Sequence, residues 1–386
     1  KCSNDVYFFR TSVLILRSVK GNKDFLETEQ RLDLMMLANE VRQSTAVDLR
    51  VVGVGGAGCA SLMRLEELMF GSVNMLGIDT GTAASGLPSS MESLSIGSGF
   101  GSGGDPEQAV ILFSEIESSV KDFVCDADVL IILSGLGRGT GSGLAPKIAR
   151  IGKESGALTV AAVNMPFEFE GRFRNQAARK AFDRLRVEAD AVIAMNNDDL
   201  SSLGDSKSSL NGAFQLADQN IANAVNAITT GLETGDVRSS AVLESLRNAG
   251  ESVVLSAEAT GTNSPHDSVL SAFGSASTKF ATVSSAVIHV EGGIGLFPSH
   301  VAEVVNEVRQ QIGRRAEIHV SSERLVGMGQ DIRTTIVLNG VQRLGEPIAD
   351  LEHLMDGHMD EARKPLHFSG EIMTVRTRRP VLVASE

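Results

Sequence analysis

Residues 134–143 read SGLGRGTGSG, and residues 144–146 continue as LAP into a segment with helical spacing. Glycine occupies every second position of this loop, and the apolar run 129–133 comes directly before it. Such a loop offers successive backbone N–H groups, and the hydroxyls of Thr140 and Ser142, to an anion at the start of a helix. The stretch therefore predicts a strand, a phosphate-binding loop and a helix, in that order.

Two more glycine-rich loops occur before this one. Residues 53–58 read GVGGAG after the apolar run 49–54, and residues 97–104 read GSGFGSGG. The first is a GxGxxG dinucleotide fingerprint, and Asp79 follows about 20 residues later, as that fingerprint requires. An NAD-dependent oxidoreductase is therefore one hypothesis, and a glycine turn that only packs a helix on a strand is another. Three such loops together favour a polyphosphate ligand.

Apolar runs alternate with helical patterns through the first half of the chain, which predicts an α/β fold with a parallel sheet. The predicted strands are 49–54, 73–78, 129–133, 158–163 and 191–194. A long buried helix follows from residue 210, and a second domain begins after residue 250. Its predicted strands, 252–256, 286–290, 317–320 and 334–338, favour a small mixed sheet. Its clearest helix follows Pro298, with Ser299 as the expected N-cap.

Composition excludes several classes of function. The 386 residues include 35 Lys and Arg against 48 Asp and Glu, a net charge of −13, which argues against binding nucleic acid or an anionic membrane surface. No apolar run is long enough to insert into a membrane. The three cysteines show no CxxC spacing, so we expect a cytoplasmic protein. The seven histidines show no metal-site spacing, and we assign no metal ligand.

Four motifs resemble the FtsZ/tubulin family of cytoskeletal GTPases, and its FtsZ branch in particular. The loop 134–143 resembles the family signature, which ends GTG(S/T)G, and residues 165–174, MPFEFEGRFR, are similar to PFxFEGxxR. Residues 196–198, NND, resemble the PND element, and residues 213–218, AFQLAD, match the start of the central helix. The resemblance implies a Rossmann-like parallel-sheet GTPase domain joined by a central helix to a smaller α/β domain with a mixed sheet.

The same resemblance implies a division of the chain into five parts. These are an N-terminal extension (1–48), a GTP-binding domain (49–209), the central helix (210–230), a C-terminal activation or polymerisation domain (231–342) and a polar tail (343–386).

The resemblance also implies GTP or GDP as the ligand, with Mg²⁺, and assigns residues to it. Those expected at the phosphates are Gly55, Gly56, Ala57, Gly58, Gly101, Gly103, Gly104, Gly137, Arg138, Gly139, Thr140, Gly141 and Ser142. Those expected at the ribose and base are Glu170, Arg174, Asn197, Phe214 and Asp218. Phe214 would stack on guanine, and Asp218 would accept from its N1 and exocyclic amine. Without the resemblance, Phe214 is typical of a core residue and Asp218 of a solvated one.

The catalytic loop of the FtsZ family has the form NxDxxD and reaches the nucleotide of the next subunit. The matching residues 231–240 read GLETGDVRSS. Asp236 is either the first aspartate or, in a shifted alignment, the second, so one carboxylate is missing either way. We expect Asp236 to be catalytic and hydrolysis to be weak; a helix N-cap is the alternative role.

Three further departures fall near the expected phosphates. Ala60 and the triplet 79–81, DTG, stand where the family has asparagine and NTD. Arg138 replaces a glycine: it either strains the loop, if the position needs a positive φ, or adds a cation beside the phosphates.

The function that follows from the resemblance is a GTPase that polymerises with itself, head to tail, in cell division. It would act in the cytoplasm at the division site, and its tail would contact membrane-tethering or regulatory division proteins. A hydrolysis-poor scaffold or co-polymer partner is the alternative, and the NAD-dependent oxidoreductase is the remoter one.

Overall fold

The structure is a computed structural model that describes residues 47–68, 73–200, 210–232, 237–261, 263–274, 280–325 and 327–343. The predicted extension and tail, 1–48 and 343–386, lie almost wholly outside these ranges, and Asp236 lies outside them too.

The strands agree closely with the predicted apolar runs, most of them being longer by two to five residues. They are β1 (Leu49–Val54), β2 (Asn74–Asp79), β3 (Glu92–Ser95), β4 (Val129–Gly135), β5 (Leu158–Met165), β6 (Ala191–Asn196), β7 (Gly250–Ala259), β8 (Phe280–Thr282), β9 (Ser285–Gly292), β10 (Glu317–Arg324), β11 (Ile332–Asn339) and β12 (Gln342–Arg343). The sequence analysis missed β3, β8 and β12, which are short.

The helices lie between these strands. They are α1 (Gly55–Leu68), α2 (Pro106–Phe113), α3 (Glu117–Val124), α4 (Gly139–Glu154), α5 (Arg172–Glu188), α6 (Asn197–Leu200), α7 (Leu210–Leu232), α8 (Val237–Leu246), α9 (Ser264–Gly274) and α10 (Pro298–Ile312). None of these helices is long and apolar enough to cross a bilayer.

Ten strands form one sheet in the order β10-β9-β11-β7-β6-β5-β4-β1-β2-β3. All neighbours from β7 to β3 are parallel, whereas β11 is antiparallel to both β7 and β9. The mixed strands join the parallel ones through β6 and β7, which pair over three residues. The predicted fold class, a parallel α/β half followed by a mixed half, is therefore confirmed.

The central helix α7 packs against both halves of the sheet. Its residues Ile221, Val225 and Ile228 are fully buried and belong to one cluster that reaches from Val51 on β1 to Val287 on β9. On the opposite face, α4 is buried against the parallel strands, and α9 and α10 cover the mixed strands. The expected burial of the central helix is confirmed.

One predicted helix start is wrong. Phe297 has an extended backbone (φ −110°, ψ 157°) and precedes α10, so Pro298 is the first helical residue and Ser299 lies inside the first turn. Proline takes this position because its fixed φ suits a helix and its missing N–H would have no partner there.

Candidate functional site

A cleft of about 910 Å³ opens at the carboxyl ends of the parallel strands. Thr80 follows β2, Gly135 ends β4, Asn164 lies near the end of β5 and Asn197 follows β6; all four line the cleft. Open α/β sheets bind their ligands at this edge. The order of the strands therefore brings the glycine-rich loops and the later motifs to one place.

One side of the cleft, the glycine wall, consists of residues 55–57, 101–104 and 137–141. Helices α1 and α4 begin in it, at Gly55 and Gly139. A helix N-terminus carries unpaired N–H groups and the positive end of the helix dipole. Two such termini facing one cleft make the wall suited to a polyphosphate.

Several positions where β4 leads into α4 require glycine, and Gly137 and Gly141 show why. Gly137 has φ +99°, and its N–H donates to Ser142 Oγ at 2.8 Å. At Gly141, a Cβ atom would collide with the Gly135 carbonyl oxygen and lie 2.6 Å from Ser134 Oγ. The alternating glycines therefore allow helix α4 to start in direct contact with the end of strand β4.

Arg138 is not strained. It precedes α4 with φ −117° and ψ 179°, an extended backbone that any residue adopts, and its exposed side chain lines the cleft. Backbone strain, one of the two effects expected of an arginine in place of the family's glycine, is therefore excluded. The other effect, a cation at the glycine wall, remains.

Gly58 and Ser142 lie behind the glycine wall. A Cβ on Gly58 would collide with the Leu133 carbonyl oxygen, so this glycine packs α1 onto β4. Ser142 Oγ holds the loop by accepting from Gly137, as described. Both residues therefore shape the wall from behind, whereas the other expected phosphate residues line the cleft.

The opposite side, the helix wall, consists of Phe214 and Asp218, one turn apart on α7. Phe214 meets Phe167 edge to face, with ring centroids 5.5 Å apart. Asp218 Oδ1 accepts from Ser61 Oγ on α1 at 3.2 Å. Burial raises the pKa of Asp218 from 3.8 to about 6, and the Ser61 contact opposes that rise. A half-buried carboxylate that lines the cleft and has one hydroxyl donor still has acceptor capacity for a ligand.

Polar side chains at the ends of β5 and β6 complete the cleft. Glu170 Oε2 accepts from Arg174 Nη1 at 2.7 Å, and its Oε1 accepts from the Phe167 N–H at 3.0 Å. The Oδ1 atoms of Asn164 and Asn197 are buried, and neither has a hydrogen-bond partner among the described residues. Because buried polar atoms are normally paired, these two oxygens are acceptors available to a donor on a ligand or on an ordered water.

Sequence reasoning missed Asn164 and gave no individual role to Thr80 and Ser102, although both lie in motifs that it placed near the phosphates. Thr80 Oγ1 lies 2.6 Å from Thr140 Oγ1. This hydrogen bond links the carboxyl end of β2 to the glycine wall. Ser102 and Asn164 are likewise buried and polar. The one available signal for Asn164 was a polar residue near the end of the otherwise apolar stretch LTVAAVNM.

Comparison with known proteins identifies the family. The GTPase-domain model of the Tubulin/FtsZ family matches residues 48–205. Cell division protein FtsZ of Methanothermobacter thermautotrophicus is 30% identical over 317 residues, which span 78% of this chain and 82% of that protein. This chain belongs to the tubulin/FtsZ family. The expected family is confirmed, and membership replaces the oxidoreductase hypothesis that residues 53–58 raised.

Solved FtsZ structures have the same fold as this tubulin/FtsZ family member. A point variant of FtsZ from M. jannaschii has a TM-score of 0.74 and 28% identity, covering 81% of this chain and 96% of that one. An empty FtsZ dimer from the same organism also has a TM-score of 0.74, with 26% identity and coverage of 84% and 99%.

Proposed function

We propose that this chain binds GTP in the cleft, polymerises head to tail through its own copies, and hydrolyses GTP at the contact between subunits. The observation that carries the proposal is the opposition of the two walls. Backbone amides and two helix N-termini line one side, and a half-buried carboxylate with an adjacent aromatic ring lines the other. A nucleoside triphosphate is complementary to this arrangement, because its anionic phosphates match the amides and helix N-termini and its base matches the carboxylate and the ring.

The helix wall favours guanine over adenine. A carboxylate accepts from guanine N1–H and the C2 amine at the same time, whereas adenine presents a lone pair at N1 and only a C–H group at C2. An unpaired buried carboxylate costs about 1–3 kcal/mol or more. Asp218 is therefore the residue proposed to select GTP, and Phe214 the ring proposed to stack on the base.

The glycine wall is proposed to hold the phosphates, with Mg²⁺. Magnesium prefers oxygen ligands and keeps several waters beside phosphates. The hydroxyls of Thr80 and Thr140 and the carboxylate of Asp79 are oxygen donors that line the cleft, so the donor set fits a phosphate-bound magnesium ion.

A role in cell division is proposed from the relatives, which are named cell division proteins, and self-association from the FtsZ dimer of M. jannaschii. On this proposal residues 231–342 form the polymerisation domain, the protein acts in the cytoplasm at the division site, and tail residues 343–386 meet division partners. A hydrolysis-poor scaffold is the second candidate, favoured by Ala60 in the cleft and the single aspartate of residues 231–240.

Sedimentation and phosphate release in the same tubes test both candidates. We expect GTP, but neither GDP nor buffer alone, to produce pelletable polymer, and phosphate release to rise steeply above a threshold protein concentration. Polymer with negligible phosphate release would favour the scaffold. Absence of GTP-dependent polymer at any concentration would contradict self-assembly.

Asp236→Ala separates binding from hydrolysis in the same assay. If Asp236 positions the attacking water, the variant should bind GTP and polymerise normally, with phosphate release reduced about 100-fold or more. Unchanged release from intact polymer would show that Asp236 is not catalytic.

A further inference from the structure

The mixed half of the sheet carries a row of charged side chains that is not electrically balanced. The strand register places four residues side by side on β7, β11, β9 and β10, namely Glu258, Arg333, Glu291 and Glu323. The row therefore contains three carboxylates and one guanidinium group.

Arg333 is directed at two of those carboxylates. Its Nη2 lies 2.8 Å from Glu258 Oε2, and its Nη1 lies 3.2 Å from Glu291 Oε2. Glu323 stands directly beside Glu291 on the neighbouring strand, and like charges in that arrangement destabilise a sheet. The Glu291 side chain is 5% exposed, so this excess of negative charge is partly buried.

A buried histidine lies beside the two adjacent glutamates. His289 is 1% exposed, and its Nδ1 lies 2.9 Å from Ser321 Oγ. Its Nε2 is buried and has no hydrogen-bond partner within the described part of the chain. That atom lies 4.0 Å from Glu291 Oε1 and 3.9 Å from Glu323 Oε2, too far for a hydrogen bond to either.

We propose that His289, Glu291 and Glu323 bind a divalent transition-metal ion such as Zn²⁺. One ligand atom from each residue lies within 4.8 Å of the other two, so small side-chain rotations place all three around a common ion. A metal bound at about 2.0–2.2 Å would occupy the space that the unpaired Nε2 faces. One imidazole and two carboxylates favour Zn²⁺ or Mn²⁺ over Ca²⁺, which takes oxygen ligands.

Two features around these residues support the assignment. Ser321 meets the other ring nitrogen of His289, as the outer-shell partner of a metal-bound histidine normally does. The Glu323 side chain is 33% exposed on edge strand β10, which gives an ion a way in.

The proposed ion would tie the edge strand β10 to β9 and neutralise the surplus charge. None of its three ligands lines the nucleotide cleft, so the proposal does not depend on GTP binding.

Metal titration of the full chain, stripped with a chelator and free of nucleotide, tests the site. We expect about one equivalent of Zn²⁺ to bind and to raise the unfolding temperature. Co²⁺ should give visible absorption bands typical of nitrogen and oxygen ligands. His289→Gln and Glu323→Gln should each weaken Zn²⁺ binding at least about tenfold and abolish the Co²⁺ bands.

His319→Gln is the matched control. His319 also has a buried Nε2 without a hydrogen-bond partner among the described residues, but it lies opposite Val287, two residues along β9 from His289. This variant should bind Zn²⁺ like the unaltered chain. The proposal is overturned if the unaltered chain binds no stoichiometric Zn²⁺, or if Glu323→Gln, a change on the partly exposed edge strand, leaves the affinity and the Co²⁺ spectrum unaltered. It is also overturned if His319→Gln loses as much affinity as His289→Gln.

Discussion

The two walls of the cleft differ in what holds them in place and in what they offer a ligand. The glycine wall presents mainly backbone, its shape at Gly139 and Gly141 is set by contacts too close for a Cβ, and it carries no information about a base. The helix wall presents two side chains on one turn of α7, and a single substitution changes its chemistry without moving the backbone. We infer that affinity for phosphates and selectivity for guanine reside in separate, separately testable parts of the site.

Gly141→Ala is expected to have the largest effect. The added Cβ would collide with the Gly135 carbonyl oxygen, so the start of α4 must move away from β4. We expect binding of GTP and ATP to be lost together, and the free energy of unfolding to fall by about 1–3 kcal/mol. Calorimetric titration and denaturant unfolding measure the two effects.

Gly86→Ala is the control for this change. An added Cβ at Gly86 meets nothing within 4 Å, and the residue does not line the cleft. It should leave both measurements unaltered. If Gly141→Ala kept its GTP affinity, the glycine wall would not be the phosphate site.

Asp218→Asn should act on the helix wall alone. An amide can accept from one guanine donor but opposes the other with its own N–H groups, so we expect GTP affinity to fall about 100-fold. ATP affinity should change far less, and the preference for GTP should disappear in a competition titration. Gln215→Ala, an exposed position one turn away on α7, should leave the preference unaltered. If Asp218→Asn still preferred GTP over ATP, Asp218 would not be the residue that recognises guanine.

The raised pKa of Asp218 predicts opposite pH effects on binding and on stability. If Asp218 recognises guanine as proposed, GTP binds the ionised carboxylate, so affinity should fall by up to about tenfold per unit as the pH drops below about 6. In the nucleotide-free protein the native pKa lies above the ordinary 3.8, so the folded state binds more protons than the unfolded state between these values. This contribution to stability is present below about pH 4 and is lost as the pH rises through about 6.

Titration of GTP binding and of thermal unfolding between about pH 5 and pH 7.5 measures both effects. Asp218→Asn should lack both dependences, and its nucleotide-free form should be more stable than the unaltered chain at pH 7 by about 1–3 kcal/mol. Identical pH profiles for the two proteins would show that Asp218 is not the titrating group.

The features that the sequence predicted well depend only on the types of residues that are close together in the chain. The run 49–54 became β1 with the same bounds, because it is apolar and is followed directly by the glycines that start α1. The alternating glycines of 135–143 predicted a strand, loop and helix because the backbone geometry at Gly137 and Gly141 excludes a Cβ. By contrast β3, residues ESLS, is polar and pairs only with β2 at the sheet edge, so it carried no apolar pattern.

The features that sequence could not predict depend on contacts between distant residues. Ser61 and Asp218 are 157 positions apart and meet because α1 and α7 pack together. The histidines gave no metal-site spacing, since His289 and Glu323 become neighbours only through the parallel register of β9 and β10. Side-chain polarity is visible in a sequence, but the shared face of two strands is not.

Arg138→Ala should have the smallest effect, and it tests whether the glycine wall acts through backbone alone. The extended backbone at this position accepts alanine without strain, and the Arg138 side chain makes no capping hydrogen bond to α4. Only the cation beside the proposed phosphates is lost, so we expect GTP affinity to fall about threefold at low salt and to match the unaltered chain at high salt. Lys147→Ala removes the same charge from an exposed position on α4 outside the cleft and should change nothing. No loss at low salt, or an equal loss in both variants, would contradict a direct contact between Arg138 and the phosphates and leave the amides as the whole of that wall's chemistry.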